Sequence, residues 1–352
     1  MQKNTNFLQK ISQYLKYPLI QAPMAGGSIT NEIITEVTKQ GCLGSLATGL
    51  MKPEQVYNQV KQLNKLMNNV PYNINLFVPE FQNKANRQQI ENVWKILKQY
   101  DNSLGDLEGR KIPLQYQTDF GEILDIVVKN KNKIVSFTFG CLEGSEIERL
   151  KRKNEAFIMG TATNLKEAIY LQDQGVDAII LQGSEAGGHR GSFLFNKGEN
   201  QQNKPELIQL EDLVGEIIPI IASGGISNKN QIQNYMAQGV DGVSIGTMFL
   251  TTKESGIKAK NKNILLENKN IGTTISRCYS GKYARSLNSS FTKNMEKHLD
   301  ELLPYNIQLK LTQYANTQSD REYGAIYAGS KYYDCQDITV KDLLQELLKG
   351  FE

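Results

Sequence analysis

QGVDAIILQG at residues 174–183 and QGVDGVSIGT at residues 238–247 repeat one pattern, in which a glycine and an aspartate precede a short apolar run. Glycine adopts the left-handed conformation that often ends a helix. A short apolar run after such a turn is typical of a buried strand. Each stretch therefore predicts a helix followed directly by a strand, as in repeated β/α units, although so short an echo could also arise by chance.

Similar apolar runs recur along the chain and alternate with patterns typical of helices. The predicted strands span residues 19–24, 43–48, 72–78, 134–139, 156–161, 178–183, 218–223 and 242–247. Strands that alternate with helices indicate a parallel α/β architecture. Eight such strands predict an α/β fold of the TIM (β/α)8 barrel type.

Two long segments interrupt this alternation. The chain has 352 residues, whereas a plain barrel of this type needs roughly 250. We assign residues 1–78 and 112–250 to the barrel, and residues 79–111 and 251–352 to a mainly helical capping domain. Both segments begin where a predicted strand ends, so we expect them to fold together over the barrel mouth. A separate tail domain after residue 250 is the alternative.

Composition favours a small-molecule partner. Lys plus Arg (40) nearly equals Asp plus Glu (37), which gives a net charge of +3 and no electrostatic reason to expect nucleic acid or a membrane surface. The sequence has no secretory leader pattern and no apolar run long enough to span a bilayer, so we expect a cytoplasmic protein. Four separated cysteines and only two histidines predict no metal site.

The glycine-rich stretch QGSEAGGHRG at 182–191 follows the sixth predicted strand and carries His189. Its backbone N–H groups can approach a cofactor, and an imidazole can transfer protons near neutral pH. We therefore predict a catalytic role for His189; the alternative is that it only hydrogen-bonds the loop. His298, in a helical pattern, is predicted to lie at the surface.

Three further glycine-bearing turns follow predicted strands: QAPMAGGS at 21–28, IASGGIS at 221–227 and VSIGTMF at 243–249. Barrels often bind phosphate through the loops after the seventh and eighth strands. The turns at 221–227 and 243–249 therefore favour a phosphate-bearing cofactor, whereas the glycines of the turn at 21–28 would let the backbone approach a flat ligand closely. Simple turn chemistry is the alternative for each. The chain lacks the G-x-G-x-x-G, P-loop and G-x-S-x-G motifs of Rossmann dehydrogenases, P-loop NTPases and α/β-hydrolases.

Together these motifs resemble a known family, the bacterial class I nitronate monooxygenases, formerly called 2-nitropropane dioxygenases. The resemblance covers nearly the whole chain in order. It rests on QAPMAGG, NINLFVP (73–79), SFTFG (136–140), GTAT (160–163), QGSEAGGHRGSF (182–193), ASGGI (222–226), IGTMFLT (245–251) and YSGKYARS (279–286).

The resemblance implies a barrel that holds FMN non-covalently, with His189 as the catalytic residue. The implied cofactor contacts are Pro23, Met24, Ala25, Asn75, Gln182, Gly187, Gly188, Ser223, Gly224, Gly225, Ser244, Ile245, Gly246 and Thr247. The implied substrate-side residues are Tyr116, Tyr279, Tyr323, Tyr327 and Lys331. Four-residue spacing predicts that Tyr323, Tyr327 and Lys331 share one helical face, although aromatic residues at this spacing are also typical of a core.

The implied reaction oxidises alkyl nitronates, such as propionate 3-nitronate, with O2 to a carbonyl compound and nitrite, a detoxification role. Protonated His189, with Lys331 or tyrosine hydroxyls, could hold the nitronate oxygens; neutral His189 could instead remove the α-proton of a nitroalkane. Alternative functions are an FMN-dependent enoyl-ACP reductase and a non-catalytic flavin-binding protein. Either a monomer or a homodimer is compatible with the sequence.

Overall fold

The structure, a computed structural model, describes residues 15–68, 70–79, 84–107, 112–115, 118–194, 218–318 and 324–351. All eight predicted strands are present and lie in one parallel sheet. They are β1 (Leu19–Gln21), β2 (Ser45–Ala47), β3 (Asn73–Phe77), β4 (Ile134–Thr138), β5 (Phe157–Ala162), β6 (Ala178–Gln182), β8 (Ile220–Ser223) and β9 (Gly242–Ile245), with β7 (Gly188–His189) outside this sheet.

The sheet closes into a barrel. Its strand order is β1-β9-β8-β6-β5-β4-β3-β2, and the two outermost strands meet where Ile20 forms a parallel bridge with Leu43. The backbone N–H of Gln21 also donates to the Leu43 carbonyl at 2.9 Å. The predicted TIM-barrel fold class is thereby confirmed.

Local signals in the sequence explain where the helices begin. Thr30 caps the first helix, since its hydroxyl accepts from the Ile33 N–H, and Pro53 is the first residue of the second, a position that suits its fixed backbone angle. The described helices are α1 (Asn31–Lys39), α2 (Pro53–Leu66), α3 (Arg87–Tyr100), α4 (Phe120–Lys129), α5 (Gly144–Asn154), α6 (Leu165–Asp173), α7 (Lys229–Ala237), α8 (Ala259–Glu267), α9 (Ser290–Met295), α10 (Ile307–Gln318) and α11 (Val340–Leu347).

The sequence echo reflects a repeated structure. Gly175 and Gly239 both have left-handed backbones, with φ of +85° and +91°. The aspartate two positions after each one accepts a backbone N–H from the start of the preceding strand: Ile158 donates to Asp177 and Ile220 donates to Asp241, both at 2.9 Å. The two units therefore use the same polar contact to join a helix–strand turn to its neighbouring strand.

The barrel core has two layers. One apolar cluster fills the space between the strands and their surrounding helices. A second cluster unites Ile20, Ile134, Met159 and Ile221, from four different strands, with Leu43, which precedes β2. Because side chains alternate across a strand, this second cluster fills the barrel interior.

The two long interrupting segments share a core of their own. Residues of the 85–107 stretch, among them Trp94 and Leu97, form one buried apolar cluster with residues of the 278–315 stretch, among them Leu303 and Leu311. Tyr100 and His298 also connect the two segments through a 3.0 Å contact between the hydroxyl and Nε2. His298 is thus partly buried rather than a free surface residue.

The cap contains a small antiparallel sheet that the sequence patterns do not predict. Its strands are β10 (Thr273–Ser276) and β11 (Ala284–Leu287), and β11 pairs with β7 of the barrel loop. Strands of two to four residues are too short to show a clear alternation. The last helix, α11, leaves the cap segment and packs into the barrel's outer core.

Among the helices of the described residues, none is both long enough and apolar enough to cross a bilayer.

Candidate active site

A cavity of about 450 Å³ opens at the carboxyl ends of the barrel strands, between the barrel and the cap. Most of the residues singled out in the sequence line it. They are Pro23, Met24, Ala25, Asn75, Gln182, Gly187, Gly188, His189, Ser223, Gly224, Gly225, Ser244, Ile245, Gly246, Thr247, Tyr327 and Lys331. The barrel topology brings together turns that lie more than two hundred residues apart in the chain.

One predicted substrate-side tyrosine does not line the cavity. Tyr279 is buried behind the cavity wall, where its hydroxyl bonds with Ser289 at 2.8 Å and its ring packs on Phe291. Tyr116 and Tyr323 lie outside the described residues.

The predicted helical face through Tyr327 and Lys331 is wrong, because residues 324–331 are not helical. Tyr327 instead forms an antiparallel bridge with Ser286 of β11. The N–H of Gly329 donates to the Thr247 hydroxyl at 2.9 Å, so this backbone is committed to the barrel loops rather than to a helix. Tyr327 and Lys331 still line the cavity, Tyr327 from the bridged extended segment and Lys331 from the turn that follows it.

Aromatic rings surround His189. The ring centroids of Tyr327, Tyr305 and Phe139 lie 5.1, 5.7 and 5.9 Å from that of the imidazole. The residue keeps some accessible surface in the cavity, yet burial of the ring, together with the positive charge of Lys282, lowers the pKa of His189 to about 3. The imidazole is therefore neutral at physiological pH. Of the two roles considered for His189, this favours the neutral base over the protonated residue that holds the nitronate oxygens.

The loop that carries His189 is held by Gln182 at the end of β6. The side-chain amide of Gln182 donates to the His189 carbonyl at 2.9 Å and accepts from the Gly191 N–H at 2.9 Å. Arg190 is buried and donates to the Gln182 carbonyl at 3.0 Å, and its own N–H donates to the Tyr283 carbonyl at 2.8 Å. The position of the imidazole is thus set jointly by the barrel and the cap.

The turn after β8 brings its backbone close to the neighbouring loop. Gly224 and Gly225 have φ of +110° and +68°, and a Cβ on Gly224 would lie 2.9 Å from the Ala186 nitrogen. Side chains are excluded here, so the backbone forms the cavity wall. Such a wall allows a flat or phosphate-bearing group to approach closely.

Comparisons with known proteins identify the family of this chain. A family model described as Nitronate monooxygenase matches residues 6–350. The chain belongs to the nitronate monooxygenase family. A probable nitronate monooxygenase of Bacillus subtilis (strain 168) is 34% identical over 347 residues, which cover 97% of each protein. Another from Staphylococcus haemolyticus (strain JCSC1435) is 34% identical over 344 residues, which cover 95% of this chain and 94% of that protein.

Solved structures show the same architecture. Nitroalkane oxidase from Streptomyces ansochromogenes superimposes with a TM-score of 0.79 at 28% identity, covering 96% of each chain. FabK from Thermotoga maritima superimposes with a TM-score of 0.71 at 19% identity, covering 98% of this chain and 96% of that one; this second likeness concerns the fold alone.

Membership of the nitronate monooxygenase family identifies this chain as an oxidoreductase and implies a flavin cofactor. The cavity fits such a group. Its volume lies within the range of about 300–1,000 Å³ that is usual for ligand pockets, and its lining combines apolar side chains, hydroxyls and glycine backbone. Asn75 is positioned by its own amide, which donates to the Ser136 hydroxyl at 2.9 Å.

Several lining residues of this nitronate monooxygenase homologue were not singled out from the sequence. Phe139 adopts a left-handed backbone with φ of +75°, an uncommon conformation for an aromatic residue, and its ring reaches His189. Tyr305, Lys258 and Asn261 come from the cap. No local motif marks these cap residues, because only the fold of the cap brings them to the cavity.

The cap side of the cavity is cationic. Lys331 and Lys258 both line it. A hydrogen bond with the Tyr333 hydroxyl raises the pKa of Lys331, and the nearby Glu185 carboxylate acts in the same direction. Lys331 therefore remains charged and favours anionic ligands.

Proposed function

We propose that this protein is an FMN-dependent nitronate monooxygenase that oxidises alkyl nitronates with O2 to a carbonyl compound and nitrite, and so removes toxic nitro compounds. One observation carries the proposal: His189 and the glycine turns after β1, β8 and β9 face a single cavity at the barrel mouth. The relation to the nitronate monooxygenase family supports the same reaction.

The proposed cofactor contacts lie on the barrel side. The turns at Ser223–Gly225 and Ser244–Thr247 would hold the FMN phosphate, as loops after the last two barrel strands often do. The backbone of Pro23–Ala25, with Asn75 and Gln182, would lie along the ring system. When bound, the flavin supplies the electron-transfer chemistry between nitronate and O2.

The proposed substrate contacts lie on the cap side. The charge of Lys331 would attract the anionic nitronate, and Tyr327 with neutral His189 would orient it by hydrogen bonds. With a neutral nitroalkane, the imidazole of His189 would instead accept the α-proton. Tyr116 and Tyr323 remain predicted substrate-side residues, whereas Tyr279, buried behind the cavity wall, is not proposed as a substrate contact.

Purified protein tests the cofactor and the reaction directly. We expect a yellow protein that releases FMN on denaturation, consumes O2 and produces nitrite with propionate 3-nitronate. A colourless protein that takes up no added FMN would contradict the cofactor assignment. Rapid NADH oxidation with a crotonyl thioester, without nitrite release from nitronate, would indicate an enoyl reductase. A yellow protein inert to both substrates would indicate a flavin-binding protein without turnover.

The variant His189→Asn tests the role of the imidazole. We expect it to retain flavin, since the proposed cofactor contacts are mainly backbone, and to lose about 10²–10⁴-fold in turnover of a neutral nitroalkane, the usual contribution of a general base. His298→Asn is the matched control, because it removes the other histidine of the chain and should leave turnover unchanged. Unchanged kinetics in His189→Asn would remove His189 from the mechanism.

A further inference from the structure

A turn of the cap, Ser280–Lys282, lies behind His189 and is not part of the cavity wall. The Ser280 hydroxyl oxygen is 2.8 Å from His189 Nε2. Lys282 is only 8% exposed, and its Nζ lies 4.7 Å from the centroid of the Phe139 ring, which itself contacts His189. A hydroxyl and a buried cation thus approach the imidazole from its far side.

The turn is held rigidly. Gly281, between the two residues, has φ of +84°, and a Cβ there would lie 2.4 Å from the Leu303 carbonyl oxygen. Its N–H donates to the Arg277 carbonyl at 2.8 Å. The turn therefore cannot shift away from His189 without disturbing the backbone around residue 303.

The hydrogen bonds of Ser280 indicate where the imidazole proton lies. A hydroxyl has one proton and accepts through its lone pairs. The Lys282 carbonyl can only accept, and it lies 3.1 Å from the Ser280 oxygen, which in turn accepts from the Lys282 N–H at 3.3 Å. Ser280 also shares a hydrogen bond with the Tyr327 side chain. When the Ser280 proton goes to the Lys282 carbonyl or to Tyr327, the Ser280 oxygen accepts from His189 Nε2–H, and the lone pair of the ring resides on Nδ1.

The charge of Lys282 also favours a neutral His189 imidazole. Burial is the main cause of the lowered pKa of His189, and the ammonium of Lys282 lowers it further because like charges disfavour protonation. Among the described residues, further titratable or charged groups near the imidazole are the hydroxyls of Tyr305 and Tyr327, the Arg190 guanidinium on the same loop and Lys331 across the cavity. None of these named groups is a carboxylate that would stabilise an imidazolium.

We propose that Ser280 and Lys282 are positioning residues, which keep His189 neutral with its proton on Nε2 and thereby make Nδ1 the basic atom of the ring. The chemical consequence of this arrangement rests on the proposed function. With a nitroalkane, the Cα–H bond breaks, its electron pair stays on the substrate as the nitronate, and the proton moves to Nδ1. The positive charge of Lys282 would also favour the anionic nitronate over the neutral substrate.

Histidine NMR tests the proposal without any substrate. The chain has two histidines, so ¹⁵N-histidine labelling of the flavin-loaded protein gives two sets of ring signals, and His298→Gln assigns them. We expect His189 to remain a neutral Nε2–H tautomer from about pH 5 to 8. In Lys282→Met, which keeps the apolar stem without the charge, its protonation midpoint should rise by about one pH unit or more. Lys282→Arg should restore the original behaviour.

Ser280→Ala tests the hydrogen bond separately. We expect a mixture of the two neutral tautomers, together with a lower kcat for a neutral nitroalkane and little change for a preformed nitronate, which needs no proton removal. An Nδ1–H tautomer or an ordinary titration of His189 in the wild type would overturn the proposal, even if the variants fail to fold. So would an unshifted midpoint in Lys282→Met. Failure of the proposed function would appear separately, as absent nitrite production by the wild type.

Discussion

The barrel and the cap build opposite walls of one cavity in different ways. The barrel contributes short turns directly after its strands, where glycine backbone and small polar side chains face the cavity. The cap contributes bulky side chains, among them Tyr305, Tyr327 and Lys331, from segments that share no repeated pattern. The proposed cofactor contacts are therefore local features of the fold, whereas the environment of His189 depends on contacts between distant parts of the chain.

The largest effects are expected from matched substitutions to alanine, one in the barrel core and one in the cap core. Ile74 in the barrel core and Leu311 in the cap core are both fully buried. We expect Ile74→Ala and Leu311→Ala each to cost about 2–5 kcal/mol of stability. Ile74→Ala should also weaken flavin retention, while Leu311→Ala should keep the flavin and reduce turnover.

Thermal denaturation combined with the flavin absorption spectrum measures both effects. If Leu311→Ala loses flavin as readily as Ile74→Ala, the cap core and the barrel side of the cavity form one cooperative unit. That result would contradict the distinction between the two regions.

A smaller effect is expected where the two regions touch. A Cβ on Gly187 would lie 2.4 Å from the Gly329 nitrogen and 2.5 Å from the Ala328 carbonyl carbon, and these backbone atoms cannot move aside by rotating a side chain. We expect Gly187→Ala to cost about 1–3 kcal/mol and to raise KM for nitronate. Urea denaturation and steady-state kinetics measure the two changes.

Gly144→Ala is the control for that variant. Gly144 begins α5, and a Cβ there would meet no atom within 4 Å. A change in stability within about 0.5 kcal/mol is expected. Equal effects of the two substitutions would show that the barrel–cap contact at Gly187 is not tight.

The smallest effect concerns the repeated aspartates of the barrel. Burial raises the pKa of Asp241, although the bond from the Ile220 N–H opposes this. Burial therefore makes the charged carboxylate of Asp241 less favourable in the folded protein than in the unfolded chain, and this lowers stability at pH 7. Asp241→Asn, which keeps an acceptor without the charge, should stabilise the protein by less than about 1 kcal/mol.

The pH dependence gives the sign of this effect. The gain should be largest at pH 7 and should vanish as the pH falls through the raised pKa of Asp241 and below its ordinary value of 3.8, because the wild type then becomes protonated. Asp177→Asn should instead destabilise slightly, since Asp177 pairs with Lys151 at 3.1 Å. Denaturation midpoints between pH 4 and 8 compare the two variants; the same sign in both would contradict the distinction.

Sequence patterns predict the barrel well because each strand and helix start is encoded locally. The eight apolar runs and the left-handed Gly175 and Gly239 all appear where the patterns place them. The cap is predicted less well. The helix predicted at Tyr327 is wrong, because four-residue spacing in the sequence does not reveal that the backbone of this segment bonds to the barrel loops.

The same distinction applies within the site. The placement of His189 at the cavity follows from one glycine-rich strand end. Its neutrality does not, because it depends on burial by Tyr305 and Tyr327 and on the charge of Lys282. These groups are about 90 to 140 positions away in the chain, and only the tertiary structure identifies them as neighbours.

The pairing of β7 with β11 constrains how a ligand can enter. Backbone hydrogen bonds join the histidine loop of the barrel to a strand of the cap, with Ala284 opposite His189 in the register. A cap attached in this way cannot swing open as a rigid lid without breaking that ladder. Leu50 and Lys258 line the cavity and are exposed, so among the described residues they mark a part of the rim where it meets solvent.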